Sequence, residues 1–130
     1  MRPFKEGEKA SLSFRVTDDM AAAFGGVVIH RVLSTWALVH HLEWAARKLL
    51  EPHLEEGEEG AGAGVDVRHL SPAPVGSVVD VTALLTREAP GRLVAKVEAR
   101  SGGRLLAEGT VYQAIWLKGD LARRMAGEVD

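Results

Sequence analysis

Residues 34–51 carry the strongest helical pattern in this chain of 130 residues, and that pattern constrains the fold most. Seven apolar residues at helical spacing form a stripe of roughly 140° on a helical wheel. They are Leu38, Val39, Leu42, Ala45, Ala46, Leu49 and Leu50. The opposite side carries His40, His41, Arg47, Lys48 and Glu51. Pro52 ends the pattern because proline cannot continue a helix. One long amphipathic helix is therefore predicted, with a single face to be covered by another layer.

Five strand candidates surround this helix. Residues 8–16 precede it, and residues 61–70, 77–88, 92–100 and 104–117 follow it. Apolar and polar residues alternate clearly in the later segments, as expected of half-buried strands. Because short turns separate the last four segments, we predict that they pair as an antiparallel meander. Long strands beside one apolar-faced helix predict an α+β fold, with the sheet curled around the helix.

Weaker signals lie between these elements. Thr17 predicts the N-cap of a short helix that begins with residues 18–20 and stops at Gly25. Residues 27–33 are predicted to be extended or looping. Residues 55–60 are rich in Glu and Gly and predict a solvated turn. The last ten residues predict a polar tail or a short terminal helix.

The composition excludes several classes of function. The length fits a single domain over residues 1–130, and the net charge of -2 gives no electrostatic footprint for nucleic acid. The absence of cysteine excludes disulfides, thiolate chemistry and zinc–thiolate sites. No apolar run approaches the roughly 20 residues that span a bilayer, and no signal segment begins the chain, so we expect a cytoplasmic protein. The chain has no Asn and only one Gln, which favours a thermophilic source.

Three residues could carry acyl-transfer chemistry, and each also has an ordinary structural interpretation. Thr35 opens the predicted helix, where a hydroxyl either caps the helix or binds a substrate. Glu43 sits beside the apolar stripe, where it is a boundary carboxylate or a general base. His69 shares the predicted inward face of its strand with Val65 and Val67, as a core histidine or a reactive one.

Two nearby glycines and the remaining histidines complete the set of candidate residues. Gly62 and Gly64 permit either a close backbone approach or a bulge in the strand. The other histidines are His30, His40, His41 and His53. No pair of them has the spacing of a zinc site on one element, so we predict no metal ion.

Several stretches of the sequence are similar to one known family. They are Val32-Leu33-Ser34-Thr35, Leu42-Glu43-Trp44-Ala45, the segment 51–58, and Gly62-Ala63-Gly64-Val65-Asp66-Val67-Arg68-His69. These stretches resemble the fluoroacetyl-CoA thioesterase group of hotdog proteins. The resemblance implies a hotdog fold, a catalytic triad on Thr35, Glu43 and His69, and a site glycine at Gly62. Ser34, Gly64 and Trp36 are then expected to contact the substrate.

The resemblance also implies an activity and an assembly. We expect hydrolysis of a small acyl thioester, with coenzyme A as part of the substrate and no separate cofactor. Hotdog relatives pair their sheets edge to edge, with their active sites at the dimer interface. We therefore expect a homodimer with the triad at its interface, or a dimer doubled into a tetramer. Val27, Val28 and Ile29 stand where the group carries aromatic residues, which favours a broader acyl-CoA specificity.

Two other functions stay open from the sequence. A non-catalytic acyl-CoA-binding module would leave Glu43 a merely structural residue. An enoyl-CoA hydratase on the same fold would need an Asp–His pair in a loop before the helix, and His30 has no such acid beside it.

Overall fold

The computed structural model describes residues 1–127. Its strands and α-helices are β1 (Lys9–Arg15), β2 (Ala21–Phe24), β3 (Val27–Leu33), α1 (Thr35–Leu50), β4 (Glu58–His69), β5 (Val78–Ala89), β6 (Arg92–Ser101), β7 (Arg104–Leu117) and α2 (Lys118–Met125). Single 3-10 turns cover Asp18–Met20 and Glu51–His53. The last three residues of the predicted tail lie outside the described residues, and α2 fits the predicted terminal helix. In the described part of the chain, no helix is both long and apolar enough to cross a bilayer.

The main sheet has five antiparallel strands in the order β1-β5-β6-β7-β4, and α1 packs across it. The leucines of the predicted stripe are at most 2% exposed and face inward-pointing residues such as Val81 and Leu93. Burying one such leucine stabilises a fold by about 1.5–3 kcal/mol. The curved sheet around one long helix confirms the predicted α+β hotdog architecture.

The helix begins and ends within a residue of its predicted limits. Ser34 is the N-cap, and its hydroxyl accepts a hydrogen bond from the Ala37 N–H at 3.2 Å. Pro52 lies in the 3-10 turn that follows the helix. Because Ser34 does the capping, the hydroxyl of Thr35 is left available for other contacts.

The predicted four-strand meander is wrong, because β4 pairs with β7 and not with β5. Only β5, β6 and β7 form a meander. The connection after β4 does not make a tight turn, because it runs alongside β3. The Leu33 N–H donates to the Ala73 carbonyl at 2.8 Å, and Val32 forms an isolated β-bridge with Pro74. The chain therefore crosses to the other side of the sheet before β5 begins, and β4 becomes an edge strand.

Two local predictions were also wrong. The segment before Gly25 is not helical beyond one 3-10 turn, because β2 and β3 pair as a hairpin through the Gly25–Gly26 turn. Both glycines have positive φ, +58° and +80°, as a tight hairpin turn requires. The predicted solvated turn over residues 55–60 is shorter, since β4 already begins at Glu58.

His41 was predicted on the polar side of the helix, and the structure buries it. Its ring is 7% exposed and stacks on Phe14 with 3.6 Å between ring centroids. The ring donates from Nδ1 to the Ala37 carbonyl at 2.7 Å. Burial lowers the pKa of His41 below its ordinary value of 6.5. The prediction failed because β1 covers a wider arc of α1 than the apolar stripe alone indicates.

Candidate active site

The structure brings two of the predicted site residues into contact. Thr35 Oγ1 lies 3.0 Å from His69 Nδ1, joining the start of α1 to the end of β4. Which atom donates depends on the tautomer of the ring. Within the described residues, His69 Nε2 is buried and has no hydrogen-bond partner. Since a buried ring nitrogen without a partner is unfavourable, this atom is a natural contact for a water molecule or a substrate.

Glu43 lies two turns further along α1, against the glycine-rich part of β4. A Cβ atom built on Gly62 would stand 3.1 Å from Glu43 Oε2, so only glycine leaves the carboxylate this space. The β4–β7 register shifts between Gly62 and Gly64, as it does at a bulge or a similar irregularity of the strand. In the described part of the chain, the Glu43 side chain has no hydrogen-bond partner.

A cavity of about 440 Å³ opens beside Glu43. It is lined by His40, Glu43, Trp44, Arg47, Gly60, Gly62, Val111 and Gln113. The volume falls in the range of roughly 300–1,000 Å³ that small-molecule sites occupy. The carboxylate of Glu43 therefore faces a space large enough for a short acyl group.

Arg47 links α1 to β4 at one side of this cavity. Its Nη1 donates to the Gly60 carbonyl at 3.1 Å, and its Nη2 donates to Glu59 at 2.9 Å. The guanidinium holds the pKa of the Glu59 carboxyl below its usual value. A Cβ on Gly60 would approach Leu50 Cδ2 to 2.5 Å, so glycine also allows β4 to lie close to the helix here. The Arg47 contacts set the distance between α1 and the strand that carries Gly62.

The remaining predicted site residues, Ser34, Trp36 and Gly64, do not line the cavity beside Glu43. Ser34 is buried and caps α1. Trp36 is 61% exposed and does not line the cavity. A Cβ on Gly64 would meet the Tyr112 ring at 3.4 Å, so this glycine lies beside Tyr112. In the part of the chain that the structure describes, Glu43 makes no hydrogen bond with Thr35 or His69. Glu43 lies eight residues after Thr35 on α1, which is about 12 Å along the helix axis.

Three residues line the cavity without having been predicted as site residues, namely Gln113, Arg47 and Trp44. Gln113 carried a usable signal, since it is the only glutamine and it falls in phase with the apolar Val111 on β7. Trp44 comes directly after Glu43 and Arg47 one helical turn later, but charged and aromatic residues on a helix surface are too common to single out. Within residues 1–127, no three potential metal ligands among His, Asp and Glu come together. That the protein needs no metal stays a prediction.

Comparison with known proteins then identifies the family. Residues 16–118 match the family of fluoroacetyl-CoA-specific thioesterases named FlK. The chain belongs to this family. The fluoroacetyl-CoA thioesterase of Streptantibioticus cattleyicolor is 34% identical over 84 residues. The matched segment covers 65% of this chain and 60% of that relative.

Solved structures agree with membership of the FlK family. A hypothetical protein of Thermus thermophilus, described as a thioesterase superfamily member, is 39% identical with a TM-score of 0.92, over 98% of this chain and 96% of the other. The fluoroacetyl-CoA thioesterase FlK is 25% identical with a TM-score of 0.88, over 98% of this chain and 99% of that one. A point mutant of FlK in complex with fluoroacetate and CoA is 27% identical with a TM-score of 0.83, over 91% of this chain and 99% of that one. The resemblance given by the sequence motifs is confirmed.

Proposed function

We propose that this protein hydrolyses a small acyl-CoA thioester to the carboxylic acid and free coenzyme A. The proposal depends on the carboxylate of Glu43, which has no hydrogen-bond partner among residues 1–127 and lies beside a cavity of about 440 Å³. Membership of the FlK family supports the same reaction. Relatives act on fluoroacetyl-CoA, but the hairpin carries Val27, Val28 and Ile29, and we propose a broader range of short acyl groups for this chain.

The proposed chemistry uses a base, a hydroxyl and an imidazole. Glu43 takes a proton from water, whose oxygen attacks the thioester carbonyl carbon. The tetrahedral intermediate then expels the coenzyme A thiolate, a good leaving group because thiols have a pKa near 8.5. Thr35 holds the carbonyl oxygen near the positive end of the α1 dipole, and His69 supplies the proton to the departing sulfur. Direct attack by Glu43, through a transient anhydride, would use the same groups.

We propose that these groups come together across a homodimer. Strand β4 is an edge of the sheet, and an unpaired edge favours pairing with another strand. Antiparallel pairing of two β4 strands around an axis between Val65 and Asp66 would set Gly62 opposite His69 of the partner subunit. Glu43, which packs on Gly62, would then face the Thr35–His69 pair of the partner subunit. The approximately 12 Å that separates the two halves within one subunit supports this arrangement.

Exposed apolar side chains along the same edge support the dimer. Val65 is 40% exposed on β4, and Trp44 is 52% exposed on the adjoining face of α1. Burying such apolar side chains removes them from water and so favours association. A symmetric partner would cover both residues and the open strand edge at once.

The test is release of free thiol from a series of acyl-CoA substrates that includes acetyl-CoA, fluoroacetyl-CoA and butyryl-CoA. The wild type should release thiol, and Glu43→Gln should abolish release. Glu56→Gln, which changes an exposed carboxylate in the turn before β4, is the matched control and should keep wild-type rates. Acyl-CoA binding without thiol release would indicate the binding module instead. Hydration of crotonyl-CoA without thiol release would indicate the hydratase.

A further inference from the structure

Gln113 is a buried polar side chain whose amide nitrogen is hydrogen-bonded and whose amide oxygen is not. It is 5% exposed, and its Nε2 donates to the Ala46 carbonyl of α1 at 2.9 Å. Because a carbonyl can only accept, the amide NH₂ must face the helix and Oε1 must face away from it. Oε1 has no donor within the described part of the chain, and it is not sealed from solvent. Gln113 is also one of the residues that line the cavity beside Glu43.

The cross-strand register sets Gln113 close to the Glu43 carboxylate. Gln113 stands directly opposite Gly62 in the β4–β7 ladder. Side chains that face each other across such a pair begin about 4.5–5.5 Å apart. Glu43 Oε2 lies 3.1 Å from the Cβ that Gly62 lacks, and Ala46, to which Gln113 donates, is three residues after Glu43 on α1. The missing side chain of Gly62 therefore leaves one small space bordered by the two acceptors.

We propose that Gln113 holds the hydrolytic water of the thioesterase reaction, an inference that rests on the function proposed above. A water molecule in this space donates one hydrogen to Glu43 and the other to Gln113 Oε1. Its lone pairs are then fixed toward the thioester carbon. When the water attacks, the hydrogen bound to Glu43 transfers to that carboxylate, and the hydrogen bound to Gln113 stays on the new carboxylic acid.

Most other polar groups of the cavity are unable to play this part. Arg47 has no acceptor atom, and its donors are engaged by Gly60 and Glu59. The Trp44 indole has only a donor. Among the lining side chains, the one further acceptor is the His40 imidazole, whose ring makes an edge contact with His41 at 5.1 Å between centroids. His40 is therefore the rival to be tested.

Gln113→Met tests the proposal kinetically, because methionine keeps the length of the side chain and removes the amide. We expect kcat for thiol release to fall about 10- to 100-fold and KM to change less than about threefold, as expected when a reacting group loses its orientation. His41→Met is the matched control, since His41 is also buried and also donates to an α1 carbonyl, but lies outside the cavity. It should lower the melting temperature and keep kcat within about twofold. Equal losses of kcat in both variants would overturn the proposal and indicate a purely structural role.

Gln113→Glu supplies a second readout that a structural role would not give. A protonated carboxyl at this position can donate to Ala46 and still offer an oxygen to the water, whereas an ionised one repels the Ala46 carbonyl. Activity should therefore be restored toward acid pH, relative to Gln113→Met, and disappear as the new carboxyl ionises. No restoration at any pH at which the variant stays folded would contradict the proposal.

A high-resolution crystal structure of the wild type tests the geometry without any turnover. The proposal requires an ordered water within about 2.6–3.2 Å of both Gln113 Oε1 and a Glu43 oxygen. A water bound by Glu43 and His40 instead, or none beside Gln113, would overturn it. If the wild type releases no thiol, the proposed function fails, and the crystallographic water alone decides whether these two side chains share a ligand.

Discussion

Thr35 and His69 are joined by a 3.0 Å contact between Oγ1 and Nδ1, although 34 residues separate them in the sequence. The contact links the first residue of α1 with the last residue of β4. It exists because Ser34, not Thr35, caps the helix, and because β4 ends where α1 begins. A capping hydroxyl would be committed to the backbone, whereas this one is paired with an imidazole.

Removing either member of the pair should reduce catalysis. We expect His69→Ala and Thr35→Ala each to lower kcat for acyl-CoA hydrolysis by about 10²–10⁴-fold, the usual contribution of a positioned proton-transfer group. Thr35→Ser should keep much of the activity because it keeps the hydroxyl. Thiol release measured at saturating acyl-CoA checks this, with the exposed His30→Gln as control. Full activity in His69→Ala would rule out the proposed role of the imidazole.

A mixed dimer tests whether Glu43 works with the partner's Thr35–His69 pair. Glu43→Gln and His69→Ala subunits, each inactive alone, should form a heterodimer with one intact site of two, and so with about half of the wild-type activity. Two different affinity tags allow the heterodimer to be purified for the thiol-release assay. A doubly tagged Glu43→Gln homodimer is the control. A heterodimer as inactive as its parents would place all catalytic groups in one subunit.

Gly62→Ala should disturb the carboxylate of Glu43 without unfolding the protein. The added Cβ would stand 3.1 Å from Glu43 Oε2, so the carboxylate must move by a few tenths of an ångström. Small displacements of reacting groups are costly, and we expect kcat to fall about tenfold. Gly119→Ala, on α2 with nothing within 4 Å of its Cβ, is the control and should leave kcat unchanged. Circular dichroism melts should be similar for both variants.

Gly109→Ala should instead destabilise the fold. A Cβ on Gly109 would clash with the Asp66 carbonyl oxygen and lie 2.8 Å from the Val67 Cα. Both are backbone atoms of the facing strand, which have little freedom to move away. We expect a loss of about 3 kcal/mol in the free energy of unfolding, at the upper end of overpacking effects. Urea unfolding of Gly109→Ala and Gly119→Ala, measured in parallel, gives this loss. Equal unfolding midpoints for the two variants would show that β4 and β7 can move apart to accommodate the added Cβ.

His41 should make stability depend on pH. Its pKa is lowered by burial in the folded protein, so the unfolded chain binds a proton as the pH falls through about 6.5 while the folded protein does not. The free energy of unfolding should therefore decrease from about pH 6.5 down to the lowered pKa and become insensitive to His41 below it. The pKa values of the Glu58 and Glu59 carboxyls are also lowered, but these groups change the free energy of unfolding only below about their ordinary pKa of 4.5.

The measurement is urea unfolding at intervals from pH 5 to pH 8. His41→Leu should flatten the curve between about pH 5 and 6.5 by removing the buried base. His30→Gln removes an exposed imidazole and should keep the wild-type slope. A wild-type curve that is already flat in this range would contradict the predicted effect of burial.

Local patterns were sufficient to predict most elements. The apolar stripe with Ser34 before it and Pro52 after it predicted α1 to within a residue, and alternation predicted β1 and β5–β7 closely. These signals are local, because each depends on side-chain periodicity and on residues that start or stop an element. The errors concern pairing: residues 21–24 became a strand only because β3 lies beside them, and His41 was buried only because β1 reaches it.

Local patterns predict the helix and the long strands, and the motifs around Thr35, Glu43 and His69 indicate the family. The folded chain alone shows that β4 is an edge strand, that Thr35 contacts His69 while Glu43 contacts Gly62, and that Gln113 shares a cavity with Glu43. This is because periodicity fixes which face of an element is apolar, but not which element covers it. Contacts between residues far apart in the sequence depend on strand order and on the crossing after β4, which no local pattern encodes.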